Sequence, residues 1–548
     1  MLLRWRLVSF ALAALVLLPL SVLALSWSDI DGEIWAHLWD TQLPRLLGNS
    51  LLLVLGVGIG VVVLGTSLAW LTALCEFPGR RWLDWALMLP FAIPAYVLAF
   101  VFIGLLDFAG PLQSLLREVF GSGLRLPRVR STGGVILVLT LVFYPYVYLL
   151  ARGAFLAQGR GLSEAARVLG LSPWQAFWRV ALPMARPAIG TGLALAIMET
   201  MADFGAVAVF NYDTFTTAIY KTWYGFYSLS SAAQLASLLL LGVFLALFAE
   251  RRSRGRAVTA SERPRSAPLY RLRGLKAFAA SAWCGLVFAC AFVVPLMQLL
   301  VWCWQRGRFD FDERYRELVL HSLGLGAAAA VLTVGAGLLL AFARRQAPVP
   351  AVRAAVGIAN LGYALPGAVL AVAIMLAFSW LDNHWVIPLS SVLGGAGKPL
   401  LLGSLGALLL AYLIRFLAVA QGPLESTLAR IRPSLVEASR SLGVGGFEMF
   451  RRVQLPLLAP GLLSAALLVF VDTLKEMPAT LLMRPFGWDT LAVRVFEMTS
   501  EGEWARAALP AVSLVLVGLL PVALLIRRSA MAATSPQSAI GHGVQHPA

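Results

Sequence analysis

Ser163-Glu164-Ala165-Ala166-Arg167-Val168-Leu169-Gly170, nine intervening residues and then Val180-Ala181-Leu182-Pro183 form a pattern that returns later in the chain. The second copy is Glu437-Ala438-Ser439-Arg440-Ser441-Leu442-Gly443, nine residues, then Val453-Gln454-Leu455-Pro456. Each copy reads as two short helices joined at a glycine, the residue that ends a helix in the left-handed conformation at little steric cost. In the first copy Ser172 is placed to cap the second helix, and Pro173 suits its first turn, where a missing N–H does no harm. The second copy has Val444-Gly445-Gly446 there, so a looser turn is expected. Small alanine faces with a single acid make a compact shape that the groove of another protein can grip.

These loops belong to a chain far too apolar for a soluble protein. Of 548 residues, 59% are hydrophobic and 13% charged, and the mean hydropathy is +0.80. A helix needs about 20 apolar residues to cross a bilayer, and twelve segments qualify. Six lie at 7–25, 47–74, 85–106, 134–150, 188–210 and 232–249, and six at 277–302, 318–342, 354–380, 400–420, 461–482 and 508–526. The first follows Arg4 and Arg6 as a secretory signal would. No small-x-small cleavage site closes it and more spans follow, so it is read as an uncleaved anchor.

A net charge of +16 would suggest nucleic acid if the chain were soluble; here it reflects orientation, and no nucleic-acid partner is expected. With the N-terminus inside, twelve spans put Arg80, Arg81, Arg344, Arg345, the basic stretch 251–276, Arg527 and Arg528 in the cytoplasm, together with both termini. One outside loop runs against the rule, with Arg117, Arg125, Arg128 and Arg130. Cys75, Cys284, Cys290 and Cys303 lie in or beside spans without metal-ligand spacing and are read as packing residues.

The chain is also an internal repeat, offset by about 273 residues. Asn49-Ser50-Leu51 returns as His321-Ser322-Leu323, Pro90 to Pro94 returns loosely as Gly362 to Pro366, and Met201 to Phe210 maps onto Leu474 to Met483. An even number of spans per half makes the repeat parallel, with the halves related about the membrane normal. The expected organisation is a first six-helix half over 1–250, a solvated cytoplasmic linker over 251–274, a second half over 275–528 and a cytoplasmic tail over 529–548.

The paired loops resemble the signature loop of permeases of bacterial binding-protein-dependent ABC importers. Two matches at one offset are far more specific than a single Glu-Ala-Ala, which any amphipathic cytoplasmic loop can show. The resemblance implies an all-α membrane protein of about twelve transmembrane helices in two parallel six-helix repeats, like a type I ABC importer permease, in the bacterial inner membrane. It implies that Glu164, Ala165, Ala166, Gly170 and Pro183, and again Glu437, Ala438, Ser439, Gly443 and Pro456, form docking loops, each seated in one of two copies of an ABC ATP-binding subunit. Ser439 replaces the second alanine of the motif. A periplasmic substrate-binding protein is the other implied partner. The chain lacks a phosphate-binding loop: Gly394-Gly395-Ala396-Gly397-Lys398 ends in Pro399 where a hydroxyl is needed. ATP is therefore expected on the partner subunits, with no cofactor and no catalysis in this chain.

Ionisable residues inside spans are costly and point to function. Glu199 and Asp203 stand at i and i+4 in the fifth span, on one face, and Asp472 and Glu476 repeat that spacing in the eleventh, with Lys475 beside them. Acids facing an axial translocation pathway favour a cation or a hydrogen-bonding solute over an anion. The alternative is a packing role in which Lys475 neutralises Asp472 or Glu476. The five histidines are scattered, so no metal site is expected. The stretches Glu199 to Gly205, Phe215 to Trp223 and Asp472 to Thr480 resemble ferric-iron importer permeases, a likeness that extends over nearly the whole chain. Fused twelve-span chains also occur among thiamine importer permeases, so thiamine or another small solute is the alternative cargo. A secondary transporter would leave the two matched loops unexplained.

Overall fold

The structure is a computed structural model and describes residues 2–121, 127–158, 168, 170–253, 270–392 and 397–534. Among the described residues twelve helices are long and apolar enough to cross a membrane, from Leu3–Ser28 to Trp504–Ala523. Each coincides with one of the twelve apolar segments, but four of the segments are not single helices. The third is made of Arg80–Ala86, a tight turn over Leu89–Ala92 and Ala95–Leu106; the ninth repeats this as Pro350–Ala359, Asn360–Ala364 and Gly367–Leu381. Pro94 and Pro366 head the second piece in each case, and Ile93 and Leu365 before them are extended, as residues preceding proline prefer. The fifth and eleventh also break, at Asp203 and Glu476.

The repeat holds in three dimensions with one register. Thr132–Ala157 corresponds to Leu405–Arg430, Leu182–Ala202 to Leu455–Lys475, and Gly205–Val209 to Pro478–Met483, each starting 273 positions later. Within a half, small residues bring backbones together, as expected where lipid offers no hydrophobic drive for association. A Cβ on Gly56 would stand 2.5 Å from Ile136 Cδ1, and one on Gly60 the same distance from Thr140 Oγ1. One on Gly192 would stand 2.7 Å from the Cα of Val147.

The sequence halves are not two separate bodies. The first span, Leu2–Leu25, packs on second-half helices Glu313–Gln346 and Pro350–Ala359, with Trp5 stacked on Phe342 at 6.2 Å between centroids. The seventh, Leu275–Phe288 and Val294–Asp310, packs in return on the first half. Trp302 lies 6.2 Å from Phe100, and Ser281 Oγ donates to the Pro78 carbonyl at 2.8 Å. The linker is likewise anchored at its end. Tyr270–Arg271 pair in parallel with Cys75–Glu76, and Tyr270 packs on Trp70 at 6.1 Å. All four cysteines are free.

Candidate functional site

The second loop is described in full. Pro433–Ser441 form a helix on which Glu437 and Ala438 are exposed and Ser439 Oγ donates back to the Leu435 carbonyl at 2.8 Å. Gly443 follows at φ +79, its N–H donating to the Arg440 carbonyl at 3.0 Å, while the Val444 N–H donates to Ser439 at 2.9 Å. These two bonds are the Schellman closure of a helix, while Gly445, which starts the next helix, supplies no side-chain cap. In the first loop Glu164, Ala165 and Ala166 lie outside the described residues; Gly170 takes the same conformation, at φ +80. Ser172 does cap the next helix: its Oγ accepts the Gln175 N–H at 3.3 Å, and Gln175 Oε1 accepts the Ser172 N–H at 3.0 Å.

The helix after each glycine is not short, as the pattern suggested. Trp174–Ala202 and Gly446–Lys475 run through Pro183 and Pro456 into the fifth and eleventh spans. A proline inside a helix removes one N–H and crowds the preceding turn. Here a widened turn, Phe177–Ala181 in one copy and Phe450–Gln454 in the other, precedes the proline and absorbs the misfit. Each glycine elbow is thereby tied rigidly to a transmembrane helix. Large apolar side chains are exposed around both elbows: Val168, Trp174 and Trp178 in the first, Leu435, Leu442 and Phe447 in the second. Exposed patches of this kind mark contact surfaces.

Within the membrane, the fifth and eleventh spans meet the broken third and ninth around one cavity of about 320 Å³. Glu199, Asp203, Asp472 and Glu476 all line it, so two pairs far apart in sequence become one cluster. The two acids of each pair face the same cavity, as their i, i+4 spacing suggests, but Asp203 (ψ 127°) and Glu476 (ψ 108°) also end their helices. Each carboxylate then takes up backbone groups freed by the break: Asp203 Oδ1 accepts the Val207 N–H at 3.1 Å, and Glu476 Oε1 accepts the Ala479 N–H at 3.2 Å. The released carbonyls are met by threonines. Thr216 donates to Asp203 O at 2.7 Å and Thr480 to Glu476 O at 2.6 Å. Non-helical backbone at membrane depth is tolerated where such partners supply the missing bonds.

Of the two acids that Lys475 was expected to neutralise, its charge interacts with Asp472 and not with Glu476. Glu476 pairs with Arg415, Nε to Oε2 at 3.0 Å, and both side chains are largely buried. Arg415 also donates to the Leu365 carbonyl at 2.6 Å, while Lys475 Nζ reaches across to the Phe91 carbonyl of the first half at 2.9 Å. Tyr363 of the second half donates to Glu199 Oε1 of the first at 3.4 Å. Sequence reading singled out Lys475 as the basic residue within a span and passed over Arg415, although it interrupts an apolar segment in the same way. Tyr363 gave no signal. Among the described residues no group of three His, Cys, Asp or Glu side chains converges closely enough to hold a metal ion.

A model of the family described as "Binding-protein-dependent transport system inner membrane component" matches this chain twice, over residues 62–255 and 333–524. The chain belongs to that family: it is the multi-pass permease of a binding-protein-dependent ABC importer, with two permease units in one polypeptide. It is 29% identical to the Fe(3+)-transport system permease protein FbpB 2 of Haemophilus influenzae over 502 residues, which cover 89% of this chain and 90% of the relative. It is 28% identical to the sulfate transport system permease protein CysT of Escherichia coli over 200 residues, 35% of this chain and 68% of that one. The molybdenum transport system permease protein ModB of Escherichia coli is 28% identical over 172 residues, 31% of this chain and 71% of that one.

Proposed function

We propose that this permease passes ferric iron from a periplasmic binding protein to the cytoplasm, driven by two copies of an ATP-binding subunit seated on the loops around Gly170 and Gly443. The observation that carries the cargo reading is the charge of the central cavity. Four carboxylates face two basic side chains there, a formal excess of negative charge that favours a cation over an anion such as the sulfate named for a shorter relative. A full-length likeness to a ferric-iron permease points the same way. The cavity passes the ion rather than holding it; ligand choice belongs to the binding protein.

In this reading the elbows, the linker over 251–274, the tail over 529–548 and both termini face the cytoplasm. Residues Glu164, Ala165, Ala166, Gly170, Glu437, Ala438, Ser439 and Gly443 form the seats, and Pro183 and Pro456 mark where each seat joins its span. ATP binding draws the two subunits together, and the elbows move with them. Because each elbow is continuous with a helix ending at Asp203 or Glu476, the movement reaches the cavity and opens it toward the binding protein. Hydrolysis resets it.

Uptake of radiolabelled ferric iron by cells making the whole transporter tests this. Gly170→Pro and Gly443→Pro, which cannot adopt a positive φ, are expected to abolish uptake with membrane insertion intact. Asp203→Asn with Glu476→Gln is expected to lower uptake without preventing assembly with the ATP-binding subunit. Normal uptake in the proline variants sinks the docking assignment, and normal uptake in the amide pair sinks the pathway assignment.

A further inference from the structure

The loop after the third span, whose arginines run against the charge rule, has a further property. The span ends at Leu106, and after a turn a helix follows over Pro111–Phe120. Two of its polar side chains turn toward the protein, while Glu118 is exposed. Gln113 is buried, its Nε2 donating to the Leu106 carbonyl at 2.9 Å, and Arg117 Nη2 donates to the Phe108 carbonyl at 2.8 Å. Its apolar side faces out: Leu112, Leu115, Val119 and Phe120 are 39%, 56%, 67% and 71% exposed. At 3.6 residues per turn they form one stripe. A helix facing water orients the other way round. This orientation is favourable when the stripe meets acyl chains.

Arg128 and Arg130 stand exposed beside it, neither in an ion pair among the described residues. With Ile103, Phe108 and Gln113 they line a cavity of about 370 Å³. The Arg130 guanidinium lies 6.0 Å from the ring centroid of Trp504, at the start of the last span, where interfacial tryptophans are enriched. Asp107, on the cavity wall, has its Oδ1 engaged by the Phe108 N–H at 2.8 Å. The two guanidinium groups remain available to an anion.

We propose that helix Pro111–Phe120 lies at the membrane interface and, with Arg128 and Arg130, holds an anionic phospholipid. Its acyl chains lie on the Leu112, Leu115 and Val119 stripe and its phosphate sits at the two arginines. The loop is at the opposite end of Thr132–Ala157 from the first elbow, so the lipid belongs to the outer leaflet, an assignment of side that rests on the docking reading above. A soluble partner that comes and goes would leave the stripe in water between visits; lipid covers it permanently.

Native mass spectrometry of the purified full-length chain, after exchange in mixed micelles of phosphatidylglycerol and phosphatidylcholine, tests the site. The unsubstituted chain is expected to retain phosphatidylglycerol preferentially, with about fivefold of that preference lost for each of Arg128→Gln and Arg130→Gln. Leu115→Gln with Val119→Gln is expected to lower retention of both lipids, and inorganic phosphate is expected to displace neither. Equal retention of the two lipids, or an unchanged preference in the arginine variants, overturns the proposal. Displacement by inorganic phosphate alone makes this a site for a free anion and also overturns it. So does efficient cross-linking of Leu115→Cys to the binding protein in cells without lipid retention. Retention is read on the isolated chain, so its failure leaves the transport reading intact, and failure of the docking variants affects only the assignment of leaflet.

Discussion

The two halves of this permease share a backbone and differ in charge. Glu199 and Asp472 occupy equivalent places, as do Asp203 and Glu476, and both helices break at the second acid. Yet Arg415 stands where the first half has Val142, and Lys475 where it has Ala202. Both cations of the cavity come from the second half. One acid break is therefore neutralised by a guanidinium and the other by backbone N–H groups alone. Duplication preserved the fold of the pathway, while electrostatic work was divided unequally.

Removing the guanidinium gives the largest expected effect. Arg415→Leu leaves Glu476 buried and unpaired and should destabilise the chain by about 3 to 5 kcal/mol, whereas Val142→Leu at the matching position should cost less than about 1.5 kcal/mol. Thermal unfolding of the detergent-purified protein measures both; equal shifts would mean that the halves are balanced after all. The acids should separate next. Glu476→Gln strands Arg415 and should cost nearly as much as Arg415→Leu, while Asp203→Asn keeps an acceptor for the Val207 N–H and should cost about 1 kcal/mol. A larger loss at Asp203 would reverse the assignment of strain between the two breaks.

Packing offers a smaller contrast. Gly192 corresponds to Ala465, and the glycine abuts the facing backbone at Tyr146 and Val147. Gly192→Ala should cost about 1 to 3 kcal/mol through overpacking, and Ala465→Gly about 1 kcal/mol through helix propensity and a small void. The same melting experiment ranks them. Smallest is Lys475→Met, which removes one hydrogen bond between the halves and should cost about 1 kcal/mol, with uptake reporting whether that contact restrains their movement. A gain in uptake would identify a brake, and no change in uptake or melting would show Lys475 to be dispensable.

Much of this architecture was legible from the chain. Twelve apolar segments and one repeat offset fixed the membrane fold, because length and period leave few alternatives. The breaks before Pro94 and Pro366 were not anticipated, because a window average over an apolar segment hides them, although residues preceding proline prefer extended backbone. The breaks at Asp203 and Glu476 were missed because the acid itself supplies the replacement bonds, and no local propensity records that. Arg415 escaped notice because one charge barely alters the hydropathy of a long segment, and its partner lies 61 residues away in sequence. The glycine pattern of the elbows read correctly, while their continuity with the spans did not, since a proline normally marks a helix start and here a widened turn carries the helix through it.

The exchange of the first and seventh spans between halves bears on how the protein is made. The helix beginning at Leu2 is made well before part of the surface it covers, around Phe342, which lies more than 300 residues further along. At roughly 5 to 20 residues per second of synthesis, that helix waits on the order of 15 to 60 s, facing lipid, before its permanent neighbour leaves the ribosome. A fragment truncated at the linker would keep the first span's contacts with Leu229–Ser253 but lose those with Glu313–Gln346 and Pro350–Ala359, and would lack the seventh helix that completes its core.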